Sequence, residues 1–284
     1  MILKKNYLSV YAKSFNWAGF FLPKQTYNEC SALYNFCRII DNIADEKNTL
    51  LSKKEKFTKF KEDFYSKKFS DDIIQDMWNL IDKYKISLNI INDLFDGIET
   101  DLDEKVKFIT KNELLIYSYR VAGTVGLMMA KILKVNKPKA LRAAIDLGIA
   151  MQLTNISRDV IEDYNNHRIY IDNNYESINE TLNLAEKFYK NSFYSIKEIP
   201  LGFRFSILVA RRVYKKIGDN ILSKKNFQAY KNAGKIYVNN FDKIIQTLIC
   251  FVDLIKLSLI KDTKNLTDNE HLLIAEKINF NERI

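Results

Sequence analysis

The stretch that most constrains this chain is residues 151–163, Met-Gln-Leu-Thr-Asn-Ile-Ser-Arg-Asp-Val-Ile-Glu-Asp. Wound as an α-helix at about 100° per residue, it brings Gln152, Asp159 and Asp163 within about 40° of one another, with Asn155 at the edge of the same stripe. Leu153, Ile156, Val160 and Ile161 supply apolar surface beside that stripe. Carboxylates one helical turn apart repel each other by roughly a few tenths of a kcal/mol when nothing lies between them. A hard cation removes the penalty. Mg²⁺ is typically held by one or two carboxylates, with substrate phosphates and water completing the octahedron. Residues 34–46 repeat the device, placing Tyr34, Arg38, Asp41 and Asp45 on one helical stripe. Two such helices facing each other across a cavity can hold several cations between them, and a diphosphate is the natural guest.

The remaining sequence predicts helices nearly throughout. Eight glycines and three prolines leave few turns in 284 residues, and 47% hydrophobic content provides for a sizeable core. The length alone allows one large domain or two small ones. Residues 7–21 show mixed apolar periodicity that Pro23 ends. Thr26 with Glu29, Ser52 with Glu55, Ser177 with Glu180 and Thr267 with Glu270 have capping-box spacing and predict helix starts. Residues 71–83 and 87–99 are amphipathic, and the charge run over 53–68 reads as a solvated helix face. Residues 112–133 are helical in pattern but contain Gly123 and Gly126. These suit either close helix packing or a kink that lets a substrate chain lie against the backbone. Pro138 suits the start of the helix that carries the second aspartate pair. A polar loop follows over 165–174, then helices over 182–196, 203–222 and 227–260. No segment combines strand periodicity with hairpin punctuation. We therefore expect one all-α domain over residues 1–284, its helices surrounding a central cavity.

The net charge of +9 is compatible with solvated lysines, an anionic substrate or an anionic membrane face. No compact Arg/Lys cluster is interleaved with exposed aromatics, so no nucleic-acid partner is expected. Cys30, Cys37 and Cys250 are odd in number and lack C-x-x-C spacing, which reads as buried free thiols in a reducing, cytoplasmic setting. With only His167 and His271, a histidine zinc site or a Ser-His triad has little raw material. The lysine-interrupted N-terminus does not read as a signal peptide. The nearest approach to a membrane span, residues 244–260, contains Gln246, Asp253 and Lys256. It reads as a core helix, with peripheral contact with a membrane as the alternative.

CRIIDNIAD (37–45) and QLTNISRDVIEDYNNHRIY (152–170) resemble the two aspartate-rich motifs of the squalene/phytoene synthase family, the head-to-head prenyltransferases. YSYRVAGTVG (117–126) and KSF (13–15) resemble two further signatures of that family, in its order and spacing. The resemblance implies an isoprenoid-synthase-type helical bundle acting on isoprenyl diphosphates, as a monomer or homodimer, with Mg²⁺ (or Mn²⁺). Asp41, Asp45, Asp159 and Asp163 are the expected metal ligands, and Asn155 could add its amide oxygen. Gln152 belongs to the same polar stripe. Arg38, Arg158 and Arg168 would neutralise diphosphate, since the planar guanidinium binds phosphate in a bidentate way. On an ideal helix Arg158 sits roughly 100° off the Asp159 stripe and so flanks the site. Lys13, Ser14 and Phe15 would meet substrate from the first helix. Tyr34, Tyr117 and Tyr170 would line the reaction centre, their rings stabilising carbocations.

The family's reaction has two half-reactions, through a cyclopropyl diphosphate. Gly19 and Ser31 stand where large aromatics would shorten the tunnel in members that use the C15 donor. Their small size predicts a deep tunnel, the C20 donor geranylgeranyl diphosphate and the product phytoene, with helix packing as the other reading of Gly19. Phytoene formation needs no NADPH, whereas squalene formation does. The nearest alternative is a C30 synthase using farnesyl diphosphate, giving squalene, dehydrosqualene or a hopanoid precursor. An alternative of another class is a non-catalytic relative acting as an assembly factor. A head-to-tail synthase would show adjacent aspartates where this chain has Asp41-Asn42. The chain departs from the family pattern at Asn42, usually an acid, at His167, commonly Gly, and at Ile171-Asp172, commonly Leu-Pro.

Overall fold

A computed structural model of the protein describes residues 13–259 and 265–284; the expected helical pattern from Tyr7 to Ala12 lies outside them. Helix α1 (Lys13–Gly19) leads through Pro23 into the long α2 (Lys24–Asp45). Pro23 is extended and no side chain caps α2, so Thr26 and Glu29 lie inside the helix rather than opening it. Glu29 instead accepts hydrogen bonds from Tyr84 Oη (2.6 Å) and Lys83. Helix α3 (Leu50–Tyr65) starts from Thr49, which accepts from the Ser52 amide at 3.3 Å, so Ser52 is not the cap. Helices α4 (Asp72–Tyr84) and α5 (Leu88–Thr100) begin where expected, capped by Asp71 and Ser87.

Helix α6 (Lys111–Ser118) opens on a capping box of Thr110 and Glu113. It runs through a π-helical turn (Tyr119–Gly123) into α7 (Thr124–Ile132). Helix α8 (Pro138–Asn165) has proline in its first turn, as expected, and carries the second aspartate pair. Helix α9 (Tyr175–Ser195) is capped by Asn174, whose Oδ1 accepts from the Ser177 amide at 2.8 Å, so the Ser177–Glu180 pair lies inside it. Helix α10 (Leu201–Leu222) follows Pro200. The single helix expected over 227–260 is two, α11 (Phe227–Asn232) and α12 (Asn240–Leu259). Gly234 between them has φ +61°, a left-handed conformation that ends a helix. In α13 (Asp268–Ala275), Thr267 occupies the cap position but donates its hydroxyl to Asp146 at 3.0 Å instead of capping.

Among the described residues the extended structure is one parallel ladder, β1 (Val106–Lys107) beside β2 (Arg168–Ile169), with Val106 opposite Arg168. Two-residue strands are too short to show periodicity, so the sequence gives no sign of them. Their effect is to fix the loop after α8 against the chain leaving α5. Helix α8 is the central element, packed by α7, α9, α10 and the π turn. Gly126 and Gly148 permit this approach. A Cβ on Gly126 would stand 2.2 Å from the carbonyl oxygen of Ala144, and one on Gly148 2.1 Å from that of Ala122. Among the described residues, no helix is long and apolar enough to cross a membrane.

Candidate active site

The helices enclose a cavity of about 560 Å³ with two kinds of wall. One arm is apolar, lined by residues such as Leu22, Val125, Met129, Leu133 and Leu147. The other end is polar. Helix α2 contributes Tyr34, Arg38 and Asp41, and α8 contributes Gln152, Asn155 and Arg158. Asp101, Tyr117, Tyr214, Lys235 and Tyr237 complete that end. The helical period explains the convergence: residues 34, 38 and 41 share one face of α2, and 152 and 155 share one face of α8.

The carboxylates are under electrostatic load. Asp41 keeps 46% of its side-chain surface open and lines the cavity. Burial among the helices and the charge of Asp45 push its pKa up to about 7, against the pull of Arg38 at 3.1 Å. Burial and Asp159 likewise push Asp163 up to about 8. Arg168 serves both pairs. Its Nη1 donates to Asp45 Oδ1 at 2.8 Å, and its Nη2 to the carbonyls of Ala44 (3.2 Å) and Asp101 (3.4 Å). Its charge also steadies the ionised forms of Asp41 and Asp163. His167, immediately before it, adopts φ +61°, which explains why glycine would serve equally at that position.

Arg158 does not stand apart as a flanking group. It folds onto its neighbour, Nε donating to Asp159 Oδ1 at 2.9 Å and Nη2 to Oδ2 at 2.5 Å. Lys235 approaches the same carboxylate at 3.3 Å and Glu162 at 2.6 Å. Lys235 was not among the sequence candidates, because the loop between α11 and α12 that delivers it reads as continuous helix. The Tyr117 and Tyr170 rings stack at 4.8 Å, their hydroxyls 3.0 Å apart. Both donate to Asp101, Tyr117 at 2.8 Å and Tyr170 at 2.5 Å. Burial and the adjacent Asp101 hold both phenols well above their ordinary pKa, so they stay neutral. Asp101 also escapes sequence reading. Its one signal is an acid at the C-terminal end of α5, where the helix dipole disfavours negative charge unless a partner compensates.

Asn155 is the strongest indication of a cation. Its Nδ2 donates to Gln152 Oε1 at 3.4 Å, but its Oδ1 is buried with no hydrogen-bond partner. A bare buried acceptor is costly unless something electropositive meets it. It lies one and two turns from Asp159 and Asp163, so the donor set is hard oxygen, as Mg²⁺ prefers. Among the described residues, no three carboxylate, imidazole or thiol groups converge on one point. A metal would therefore need the Asn155 oxygen and diphosphate oxygens as well.

Several candidates fall outside the wall. Asp45, Asp159, Asp163, Arg168 and Tyr170 are not part of it, although Arg158 and Asp101 are, and these bond Asp159 in the one case and Arg168 and Tyr170 in the other. Phe15 lines the cavity, against Tyr214 at 4.8 Å, but Lys13 is exposed and neither it nor Ser14 forms part of the wall. Ser31 is buried and also outside the wall. Gly19 is in the wall, yet a Cβ there would come within 2.8 Å of the Tyr27 ring. Its small size thus accommodates Tyr27 rather than lengthening the tunnel, and with Ser31 it gives no account of depth. Cys30 and Cys37 do face the cavity; burial pushes both thiols up to about 12, so they are unreactive walls.

An all-helical bundle with two aspartate-bearing helices beside the polar end of an apolar cavity has the architecture of the isoprenoid synthases. Known proteins refine that class. The family model for squalene/phytoene synthase matches residues 8–175, and the chain belongs to the squalene/phytoene synthase family, whose members are head-to-head prenyltransferases. It is 26% identical to chloroplastic phytoene synthase 1 of Solanum lycopersicum, over 89% of this chain and 67% of that one. It is 38% identical to the 4,4'-diapophytoene synthase of Staphylococcus haemolyticus, over 56% of this chain and 58% of the relative. Some of these curated relatives are thus matched over little more than half their length. A crystal structure of a ligand-bound dehydrosqualene synthase superposes with a TM-score of 0.74 at 24% identity, covering 88% of this chain and 94% of the other.

Proposed function

We propose that this protein condenses two molecules of geranylgeranyl diphosphate head to head, through prephytoene diphosphate, to phytoene, the first committed step of carotenoid formation. The observation that carries the long donor is the composition of the apolar arm. Ala130, Ala140, Ala143 and Ala144 give it small side chains, and among the described residues Phe15, beside Tyr214, is the one phenylalanine in the cavity wall. The tomato relative's name agrees with this reading. A second reading, a C15 donor and a C30 product, is favoured by the name of the Staphylococcus haemolyticus relative.

Asp41, Asp45, Asn155, Asp159 and Asp163 would hold Mg²⁺ (or Mn²⁺), which when bound supplies charge that draws diphosphate from the allylic carbon. Arg38, Arg158, Arg168 and Lys235 add fixed positive charge at the same end. In a water-poor site such preorganised charge stabilises a departing anion without reorganisation. The rings of Tyr34, Tyr117 and Tyr214 line the cavity and would stabilise the allylic cation. The double bond of the second donor attacks that cation, and loss of a proton closes the cyclopropane of prephytoene diphosphate; loss of the second diphosphate, rearrangement and loss of a second proton give the product. The apolar arm keeps out water, which would quench the cation.

The test is the product formed by purified protein with Mg²⁺, given each donor separately, with and without NADPH. Phytoene from the C20 donor without NADPH is expected. A C30 product alone overturns the donor assignment but keeps the site. Absence of diphosphate release from either donor overturns the enzymatic reading and puts an assembly-factor role in its place.

A further inference from the structure

With a diphosphate at the polar end of the cavity, α2 measures how far its hydrocarbon chain can run. Tyr27, Cys30, Tyr34 and Asp41 all line the cavity from this one helix. Their spacing of three, four and seven residues puts them on a single face, like marks along a rule. At about 1.5 Å of rise per residue, the fourteen positions from Asp41 back to Tyr27 span about 21 Å, and the eleven back to Cys30 about 16 Å. An extended five-carbon prenyl unit is about as long as one helical turn, about 5.4 Å. Three units anchored at Asp41 therefore end beside Cys30, and four end beside Tyr27. The two levels differ in what stands there. Cys30 has a small side chain and its neighbour Ser31 lies outside the wall, so α2 does not block a chain at the third unit. Tyr27 brings a ring. Helical side chains lean toward the N-terminus, which sets this ring at the far limit of the fourth unit.

The ring is braced. Its hydroxyl donates to Asn16 Oδ1 of α1 at 2.7 Å. Its edge takes the space that a side chain at Gly19 would need, since a Cβ there would stand 2.8 Å from Cε2 and 2.9 Å from Cδ2. The socket is itself fixed. Ser206 Oγ of α10 donates to the Ala18 carbonyl at 2.8 Å, and Trp17 Nε1 donates to Thr247 Oγ1 of α12 at 2.9 Å. A longer chain could displace the ring only by breaking its bond to a helix that is pinned at two points. We propose that Tyr27 is the specificity-determining residue for donor length along α2: its braced ring admits four prenyl units and rejects a fifth. The inference deepens the proposed function and rests on it for the diphosphate beside Asp41. Gly19 is then the socket of the stop.

The test is isothermal titration calorimetry of the full chain, with Mg²⁺, against S-thiolodiphosphate analogues of C15, C20 and C25 chain length, which bind without ionising readily. Wild type should bind the C20 analogue about tenfold or more tightly than the C25 analogue, because an apolar pocket without room for added carbons discriminates by at least that factor. Tyr27→Ala should bring the C25 analogue close to parity with the C20 analogue, and should turn over a C25 donor that wild type leaves unused. Tyr27→Phe keeps the ring, loses only the bond to Asn16, and should still reject C25. A residue needed only for folding would not give this split. Tyr27→Leu, apolar but smaller than the ring, takes the place of the alanine variant should far-UV circular dichroism show that one unfolded. A wild type that binds C25 as well as C20, or rejects both, overturns the stop. So do alanine and leucine variants that keep the wild-type ratio. Failure of the proposed function reads differently, as a wild-type product built from the C15 donor alone or as no diphosphate release, and the binding ratios still decide the role of Tyr27.

Discussion

Arg168 is the side chain at which the two halves of the site meet. It touches Asp45 on α2 and two backbone carbonyls, while its charge reaches Asp41 and Asp163. Arg168→Ala should lower kcat for diphosphate release by about 10²-fold or more, the usual cost of removing a preorganised charge from a transition state. Arg168→Lys should recover only part of this, because an ammonium cannot span the acceptors that the planar fork reaches. Asn155 separates a metal ligand from a structural amide. If its bare Oδ1 meets a cation, Asn155→Ala should raise the Mg²⁺ concentration needed for half-maximal activity. Thermal stability without metal should stay the same or rise, since an unsatisfied buried acceptor is removed. Lost stability with an unchanged Mg²⁺ requirement would refute the ligand role. The stripe that includes Asn155 is legible because helical spacing fixes it. The turn of Arg158 onto Asp159 is not, because neighbours on a helix point about 100° apart and only a long, flexible side chain closes the gap.

At the scale of the element, two glycines decide whether the cavity has a wall. Gly148 and Gly126 each face backbone oxygen, near 2 Å from where a Cβ would be, and backbone cannot swing aside as a flexible side chain can. Gly148→Ala should therefore cost about 1–3 kcal/mol, the usual range for overpacking. For a chain of this size that is a fall in Tm of several degrees by differential scanning fluorimetry, at about 2–4 °C per kcal/mol. Gly202→Ala, in the first turn of α10 with nothing within 4 Å, should leave Tm unchanged or raise it. Comparable melting of the two variants would refute the packing argument. Most helices are legible from apolar periodicity, but their starts are not. In Thr49-Leu-Leu-Ser52 and Asn174-Tyr-Glu-Ser177 the serine is the third residue of the first turn, donating its amide to the true cap. A serine followed by an acid three residues on therefore also occurs inside a first turn. Residues 227–260 read as one helix because apolar spacing resumes after the break, and Gly234 is the one local sign of it.

Across the whole molecule, the last twenty residues hold the catalytic half in place from behind. Asp146 of α8 accepts from Thr267 Oγ1 (3.0 Å) and Asn191 Nδ2 (2.6 Å), and His271 Nε2 lies 2.6 Å from it. Arg283 makes a fork to Asp93 at 2.9 and 3.0 Å, and Tyr119 of the π turn donates to the same carboxylate at 2.9 Å. The C-terminal segment is thereby tied to the turn that leads into the cavity wall. Glu270 gives this clasp a pH dependence. Its side chain is buried, which alone would raise its pKa, but Lys187 at 2.6 Å and Lys111 at 2.9 Å outweigh burial and lower it. A carboxylate with a lowered folded-state pKa contributes stability above its unfolded value, near 4.5, and loses it as pH falls through the folded value. Glu270→Gln should therefore unfold at lower urea than wild type at pH 7, with the difference narrowing once pH drops below about 4.5. Tryptophan fluorescence of urea unfolding between pH 3.5 and 7 measures this. A difference that stays constant across that range would mean that Glu270 acts through its shape and hydrogen bonds alone, and not through the charge that the two lysines enclose.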